Sequence, residues 1–480
     1  MKRILLLGVT ATALIASPLA FETNADAQIN TRSQAMTVDP ERGVLTMAPL
    51  LERVTPAVVS IRTVQEATSR NSAKSPEQEM MERFFGGRMP QQNRGPRMGA
   101  GSGVIFNASE GLIITNNHVI KGADEITVTL DDRREFEADL IGTDPETDIA
   151  LLKIDTRDLE ELKLAKSGDT RVGDYVIAVG NPFGLTSTVT SGIVSAIGRE
   201  TLSGQNRYEN YIQTDASINP GNSGGALINS KGELIGINTA ILSRSGGNNG
   251  IGFAVPIRTV KNVIGQLREN GEVKRGRIGV VIQNVTPDLR DALNLKSLDG
   301  AFIADVGEDT PADKAGLKAE DVIIEFNGEK ILDNNDLRNL VGLLQPGTRA
   351  SVTYLRGGSR RTTRINVEAA PEVADETVTS RSSRYGDETE ESMEAFDGAE
   401  VTNIPDDVEL RGGNEGVYVA KVDRSSKAYR AGLRRGDVIR RVGRTNIEDL
   451  GDFEDALDAS EGPYALRIER QGQNLYLAVK

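Results

Sequence analysis

Ser223 stands in the run Gly221-Asn222-Ser223-Gly224-Gly225, one hydroxyl among three glycines. A serine nucleophile needs open space above its oxygen and backbone N–H groups aimed at the oxyanion that develops on attack, and glycines allow both. A plain turn uses the same residue types, so the motif alone does not decide. Such a serine also needs a base. The chain has one histidine, His118, at the end of Leu112-Ile113-Ile114-Thr115-Asn116-Asn117-His118. If an imidazole activates Ser223, the choice of His118 is forced. An imidazole base must be neutral, so its catalysis fades below about pH 6–7. It also needs a partner to fix its tautomer and steady the imidazolium. Asp144 and Asp148 are the candidates. Asp148 directly precedes the apolar run Ile149-Ala150-Leu151-Leu152, at a strand entrance from which a carboxylate can point inward, whereas Asp144 precedes Pro145 and reads as a turn residue. Asp148 is therefore preferred. A serine–lysine hydrolase is the rival, and it would leave His118 idle.

The elements that must position these residues read as short strands. From 45 to 257, apolar runs such as 58–64, 126–130 and 175–179 are bounded by Gly, Asp and Pro, and two halves meet near 164–168. A polar insert at 68–101 carries the pair Phe84-Phe85 and has the length of a mobile loop. Val260, Val263, Ile264 and Leu267 fall at helix spacing, which predicts a helix over 256–270. A repeat follows. The stretches that begin at Gly300 and Gly416 align without gaps: Ala315-Gly316-Leu317 matches Ala431-Gly432-Leu433, and Asp321-Val322-Ile323 matches Asp437-Val438-Ile439. That period is far longer than a solenoid unit, so two copies of one small domain are expected. Between them, acidic residues with Ser and Thr predict a flexible, self-repelling linker.

Composition bounds the partners. The 480 residues allow about three domains. A net charge of −14 disfavours nucleic acid and anionic membranes as general partners. With no cysteine and one histidine, thiol nucleophiles, thiolate metal sites and multi-histidine metal sites are excluded. Lys2 and Arg3 followed by an apolar run to about Ala16 read as a secretory signal, with Ala25-Asp26-Ala27 as the cleavage site and Ser17-Pro18-Leu19-Ala20 as a competitor. An uncleaved anchor is the alternative, but the run is short for a bilayer, and no later stretch approaches the ~20 apolar residues of a spanning helix. The mature chain is expected to be soluble outside the cytoplasm.

Read in order, TNNHVI, TDIALLKI, GNPFG, TSGIVSAIGR, YIQTDASINPGNSGGAL, GELIGINTAIL and GIGFAVP resemble the HtrA/Deg family of extracytoplasmic serine proteases, and the resemblance spans nearly the whole mature chain. It implies a mostly β fold, a chymotrypsin-like pair of six-stranded β-barrels followed by two PDZ domains, small β-barrels with helices. The expected domains are a signal peptide at 1–27, an N-terminal segment at 28–44, a protease domain at 45–270, PDZ domains at 271–369 and 395–480, and an acidic linker at 370–394. His118, Asp148 and Ser223 would form a catalytic triad, with the N–H groups of Gly221 and Ser223 as the oxyanion hole. The resemblance further implies a mechanism that needs neither metal nor cofactor. Gly221, Asn222, Ile218, Ile251 and the strand Thr239-Ala240-Ile241-Leu242-Ser243 would hold substrate. Ile218 and Ile251 imply a first pocket for small aliphatic side chains. Asp215 is the rival, since it could make that pocket select basic residues, yet the place six residues before the nucleophile is Ser217.

In the first PDZ domain, Arg277-Ile278-Gly279-Val280-Val281-Ile282 would bind peptide C-termini, with Arg275 or Arg277 adding charge. In the second, Asp397 and Glu400 would repel a carboxylate, so that domain is expected to serve assembly. The resemblance further implies a periplasmic location, unfolded or misfolded polypeptides as substrates, a homotrimer that can build larger cages, and regulatory loops at 84–85, 197–211 and 242–250. A holdase that binds unfolded chains without cutting them is the second class of function.

Overall fold

A computed structural model of the chain describes residues 36–65, 97–182, 187–200, 208–219, 221–241, 249–371, 392–405, 408, 410, 413–459 and 463–479. The signal-like start, the Phe84-Phe85 pair, loop residues 242–248 and linker residues 372–391 lie outside the described residues. A short ladder of β1 (Thr37–Val38) and β2 (Leu45–Thr46) precedes helix α1 (Ala48–Val54). An antiparallel sheet follows, built from β3 (Val58–Gln65), β4 (Arg97–Asn107), β5 (Leu112–Thr115), β6 (Glu125–Thr129), β7 (Glu135–Glu137), β8 (Asp139–Asp144) and β9 (Ile149–Lys153), with helix α2 (Asn117–Ile120) after β5. Its order is β7-β6-β3-β4-β5-β9-β8. It has seven strands where the resemblance implied six, because the short β7 adds to β6 through the pair Val128 and Phe136. The strands β10 (Tyr175–Gly180), β11 (Thr188–Arg199), β12 (Tyr211–Thr214), β13 (Ala226–Asn229), β14 (Leu234–Ile241) and β15 (Gly252–Pro256) close into a six-stranded barrel in the order β10-β11-β12-β15-β14-β13.

Alternation along the strands sorts side chains into three cores. Val59, Ile105, Ile113, Ala150 and Leu152 fill the first sheet's own core. Their neighbours Val58, Val104, Ile114, Ile149 and Leu151 face the other way and meet Ile177 and Val179 of the barrel in a shared seam. Val176 and Ala178 then face the barrel interior. Helix α3 (Ile257–Asn270) lays Val260, Val263, Ile264 and Leu267 onto the seam and ends at Gly271, whose φ of 73° is the left-handed cap geometry that glycine adopts without strain.

The two repeat units share a five-strand core sheet, to which the second adds one strand. The first contains β16 (Gly276–Arg277), β17 (Val280–Asn284), α4 (Pro287–Ala292), β18 (Ala301–Val306), α5 (Pro311–Lys314), β19 (Val322–Phe326), β20 (Glu329–Lys330), α6 (Asn334–Gly342), β21 (Arg349–Arg356), β22 (Ser359–Asn366) and β23 (Glu368–Ala369), and its main sheet runs β17-β18-β19-β21-β22. The second contains β24 (Ser392–Phe396), β25 (Ala399–Asn403), β26 (Val417–Val422), α7 (Lys427–Arg430), β27 (Val438–Val442), β28 (Thr445–Asn446), α8 (Leu450–Asp458), β29 (Tyr464–Arg470) and β30 (Gln473–Val479), in the order β24-β25-β26-β27-β29-β30. Ser392 to Glu394, which the sequence places at the end of the linker, are thus already strand. The repeat extends to a buried fork. Arg356 grips Asp321 at 2.7 and 2.6 Å, and Arg470 grips Asp437 at 2.6 and 2.6 Å. Two parallel charged bonds offset the cost of burying each aspartate.

The units also touch. Arg275 is 9% exposed and pairs with Asp144 and, at 3.2 Å, Glu146 of the first sheet; its guanidinium lies 4.5 Å over the Tyr208 ring. Asn339 on α6 donates to the Glu209 carbonyl at 2.9 Å. Between the repeats, the Gln283 side chain brackets the backbone of Tyr476, donating to its carbonyl at 2.8 Å and accepting from its N–H at 3.0 Å. The Tyr476 ring packs edge-on against Phe302 at 5.1 Å. Burial beside Glu320 pushes its hydroxyl up to about 12, so it stays a neutral donor to that carboxylate.

Candidate active site

β5 ends at Thr115, and the chain turns through buried Asn116 into α2, which carries His118. Asp148 sits in the turn between β8 and β9 with φ of 58°, a left-handed conformation that aspartate tolerates better than most residues. Five bonds hold it there. Its carbonyl accepts from Asn116 Nδ2 at 2.9 Å and Asn117 N at 3.2 Å. Its carboxylate accepts from the His118 N–H at 2.9 Å, the His118 ring Nδ1 at 2.7 Å and the Thr239 hydroxyl at 2.6 Å. An ionised carboxylate only accepts, so the ring proton belongs on Nδ1 and Nε2 is left as the basic nitrogen.

Ser223 comes from the barrel, in the turn between β12 and β13. Its Oγ lies 3.2 Å from the Thr239 carbonyl. Thr239 on β14 therefore touches both partners, with its hydroxyl on Asp148 and its carbonyl at Ser223. A Cβ on Gly224 would stand 2.1 Å from the Ser102 carbonyl oxygen, and Gly224 has φ of 82°, so this position excludes other residues. The N–H groups of Asn222, Gly224 and Gly225 are bonded at 2.8–3.0 Å to Asn219, Asn238 and Asn222. Among the described residues, those of Gly221 and Ser223 make no such bond. An oxyanion could take both.

Sequence reasoning missed Ser102. It is fully buried on β4, where its N–H donates to the Ser223 carbonyl at 2.8 Å. Its hydroxyl donates to the Gly221 carbonyl at 2.6 Å and accepts from Asn181 N at 2.8 Å. The first sheet thereby fixes the backbone on both sides of Asn222. The signal was Gly101-Ser102-Gly103, a serine at a strand position between two glycines, where a close approach is a common reason for glycine; a Cβ at Gly101 would crowd the Val119 side chain and the Ser223 carbonyl.

Asp144 is not a simple turn residue; it ends β8, buried, and is committed to Arg275 and, at 2.5 Å, to Thr147. Ile218 lies in the barrel core with Ala216 and Val194, while Ile251 is half-buried against the shared seam. Asp215 accepts from Ile193 N at 2.7 Å, so its carboxylate is engaged on β11. Ala240 and Ile241 are on β14, opposite Phe253 and Gly252, and Leu242 and Ser243 lie outside the described residues. Arg275, one of two residues expected to attract a peptide carboxylate, is instead occupied by Asp144 and Glu146. Arg277 is exposed. Ile278 is buried, and Gly279 has φ of 80°. Val280, Val281 and Ile282 lie on β17, the end strand of its sheet.

Family models match in three places: a trypsin-like peptidase domain at residues 101–237, and PDZ domains at 276–367 and 418–470. The chain is 43% identical over 443 residues to a probable periplasmic serine protease do/HhoA-like of Haemophilus influenzae, covering 90% of this chain and 91% of that protein. It is 42% identical over 435 residues to the periplasmic pH-dependent serine endoprotease DegQ of Escherichia coli, with the same coverage of 90% and 91%. Among solved structures, the HtrA-type protease AlgW with a decapeptide matches at 41% identity and a TM-score of 0.52, covering 68% of this chain and 99% of that one.

Proposed function

The chain belongs to the family of periplasmic DegP/DegQ serine endoproteases, and from that premise we propose that it cuts unfolded polypeptides through His118, Asp148 and Ser223. The observation that carries this reading is the Asp148 carboxylate, which holds the His118 ring at 2.7 Å and shares Thr239 with Ser223. His118 Nε2 takes the Ser223 proton as Oγ attacks the scissile carbonyl. The oxyanion is received by the Gly221 and Ser223 N–H groups, each worth ~3–4 kcal/mol in comparable sites. His118 then protonates the leaving amine, and water, deprotonated by the same nitrogen, releases the acyl group. The edge of β14 from Thr239 onward pairs with substrate backbone, a mode indifferent to side chains. The first PDZ domain grips the chain to be cut.

Selection rests on the first pocket. Asp215 is engaged by backbone and Ser217 carries no charge, so cleavage is expected after Val, Ile or Ala. Mapping the termini released from unfolded casein tests this: cuts mainly after Lys or Arg would overturn it. Ser102→Ala is a second expected result. It orphans the partly buried Gly221 carbonyl and the buried Asn181 N–H, a penalty of ~1–3 kcal/mol. Spent at the oxyanion hole, that lowers kcat by roughly 5- to 150-fold with KM little changed; steady-state kinetics on a fluorogenic peptide read it, and an unchanged kcat would remove Ser102 from the site.

The relatives are periplasmic, and among the described residues no helix is long and apolar enough to cross a membrane. The basic, apolar start fits a cleaved secretory signal that leads to that compartment. Assembly as a trimer, with the second PDZ domain contributing to it, completes the reading.

A further inference from the structure

The geometry points to a peptide groove in the second PDZ domain that is already filled by the chain's own segment Ser392–Phe396. The two domains present the same edge. β17 pairs with β18 through Val280 and Val306, and β25 pairs with β26 through Ala399 and Val422. Gly279 and Gly398 precede these strands with φ of 80° and 88°, and a Cβ on either would stand 2.3 Å from the Cβ of Thr310 or Ser426, the N-cap of the next short helix. α6 and α8 are likewise each capped by an aspartate, Asp333 and Asp449.

The edges differ in what lies on them. β17 is the last strand of its main sheet, the open edge to which a peptide adds by strand pairing. β25 instead lies between β26 and β24. Ser392 pairs with Thr402, Met393 with Val401 and Phe396 with Ala399, all antiparallel. β24 thus ends where β25 begins. A peptide whose terminal carboxylate sits in the loop before the edge strand must run the same way. Phe396 supplies the anchor: it is 5% exposed, 5.5 Å edge-on from Phe453 of α8 and 5.8 Å from Tyr464. Counted back from the matched glycines, the same place in the first domain holds exposed Arg277, which pairs with Glu368 of β23. Asp397 and Gly398, with φ of 45° and 88°, form the two-residue hairpin turn that joins segment to edge. So short a tether gives the segment a high effective concentration against any free competitor. Substrate capture falls to β17.

This deepens the reading of the first domain as the one that grips substrate, and hydrogen exchange tests it without turnover. In the full chain, amides of 392–403 are expected to exchange about 100-fold or more slowly than in an unstructured peptide. Saturating free Ser-Met-Glu-Ala-Phe leaves them unchanged. Random-coil exchange at 392–396, or new protection of 399–403 by the added peptide, overturns the inference, whatever happens at 280–284. A second arm uses the cysteine-free background. Ser392→Cys with Thr402→Cys places thiols on directly paired residues. Oxidation is expected to go to completion and to leave casein degradation within about twofold of the reduced form. Failure to oxidise, or a loss of more than about tenfold that reductant reverses, counts against a groove that stays closed.

Discussion

Ser223→Ala is expected to abolish casein degradation, with kcat falling by about 10⁶-fold, while binding of unfolded chains persists. The alanine removes one oxygen whose described contact is a 3.2 Å bond to the Thr239 carbonyl. The Ser223 carbonyl still accepts from Ser102 N, and Gly224 N still donates to Asn238 O, so the turn keeps its shape. Stability should therefore hold while chemistry stops. The variant also separates cutting from holding. If it protects unfolded casein from aggregation as well as the parent does, the PDZ domains and the substrate-pairing edge act without turnover. Undiminished degradation by Ser223→Ala would end the triad reading.

Asp148→Asn is expected to lower kcat by about 10⁴-fold at neutral pH with the fold intact. An amide directed at Nδ1 donates a proton where the carboxylate accepted one. The ring must then carry its own proton on Nε2, the nitrogen that has to receive it from Ser223. Asparagine tolerates φ of 58° as well as aspartate does, and its carbonyl oxygen can still accept from the His118 N–H. Asp148→Ala loses those supports too, so it should lower the melting temperature as well as kcat. Thermal scans with single-turnover kinetics distinguish the two; an Asn variant within tenfold of the parent would show that Asp148 does not govern the tautomer.

The residues proposed as catalytic stood out because their chemistry is scarce here. One histidine and one serine in a glycine-flanked turn left few combinations, and a strand-entry aspartate followed from the apolar run behind it. The supporting contacts were not legible, for a physical reason. Ser102 reaches Gly221, Thr239 reaches Asp148 and Arg275 reaches Asp144, each more than 90 residues away in sequence, which local pattern does not encode. The strands at 58–61 and 149–152 also lack polar alternation, since one face meets the first core and the other meets the shared seam. The linker boundary was misjudged because Ser392 to Glu394 read as polar chain, whereas pairing with β25 supplies backbone partners that composition does not reveal.

The Arg275 clamp makes the molecule a ruler. It pins the short connection after α3 to Asp144, four positions before Asp148, so on the proposed reading the edge β17 is held near a set distance from Ser223. A chain shorter than that span can be cut or held but not both at once. If β17 grips substrate as proposed, only longer chains would gain from the tether, and the same span would set a lower bound on the length of their fragments.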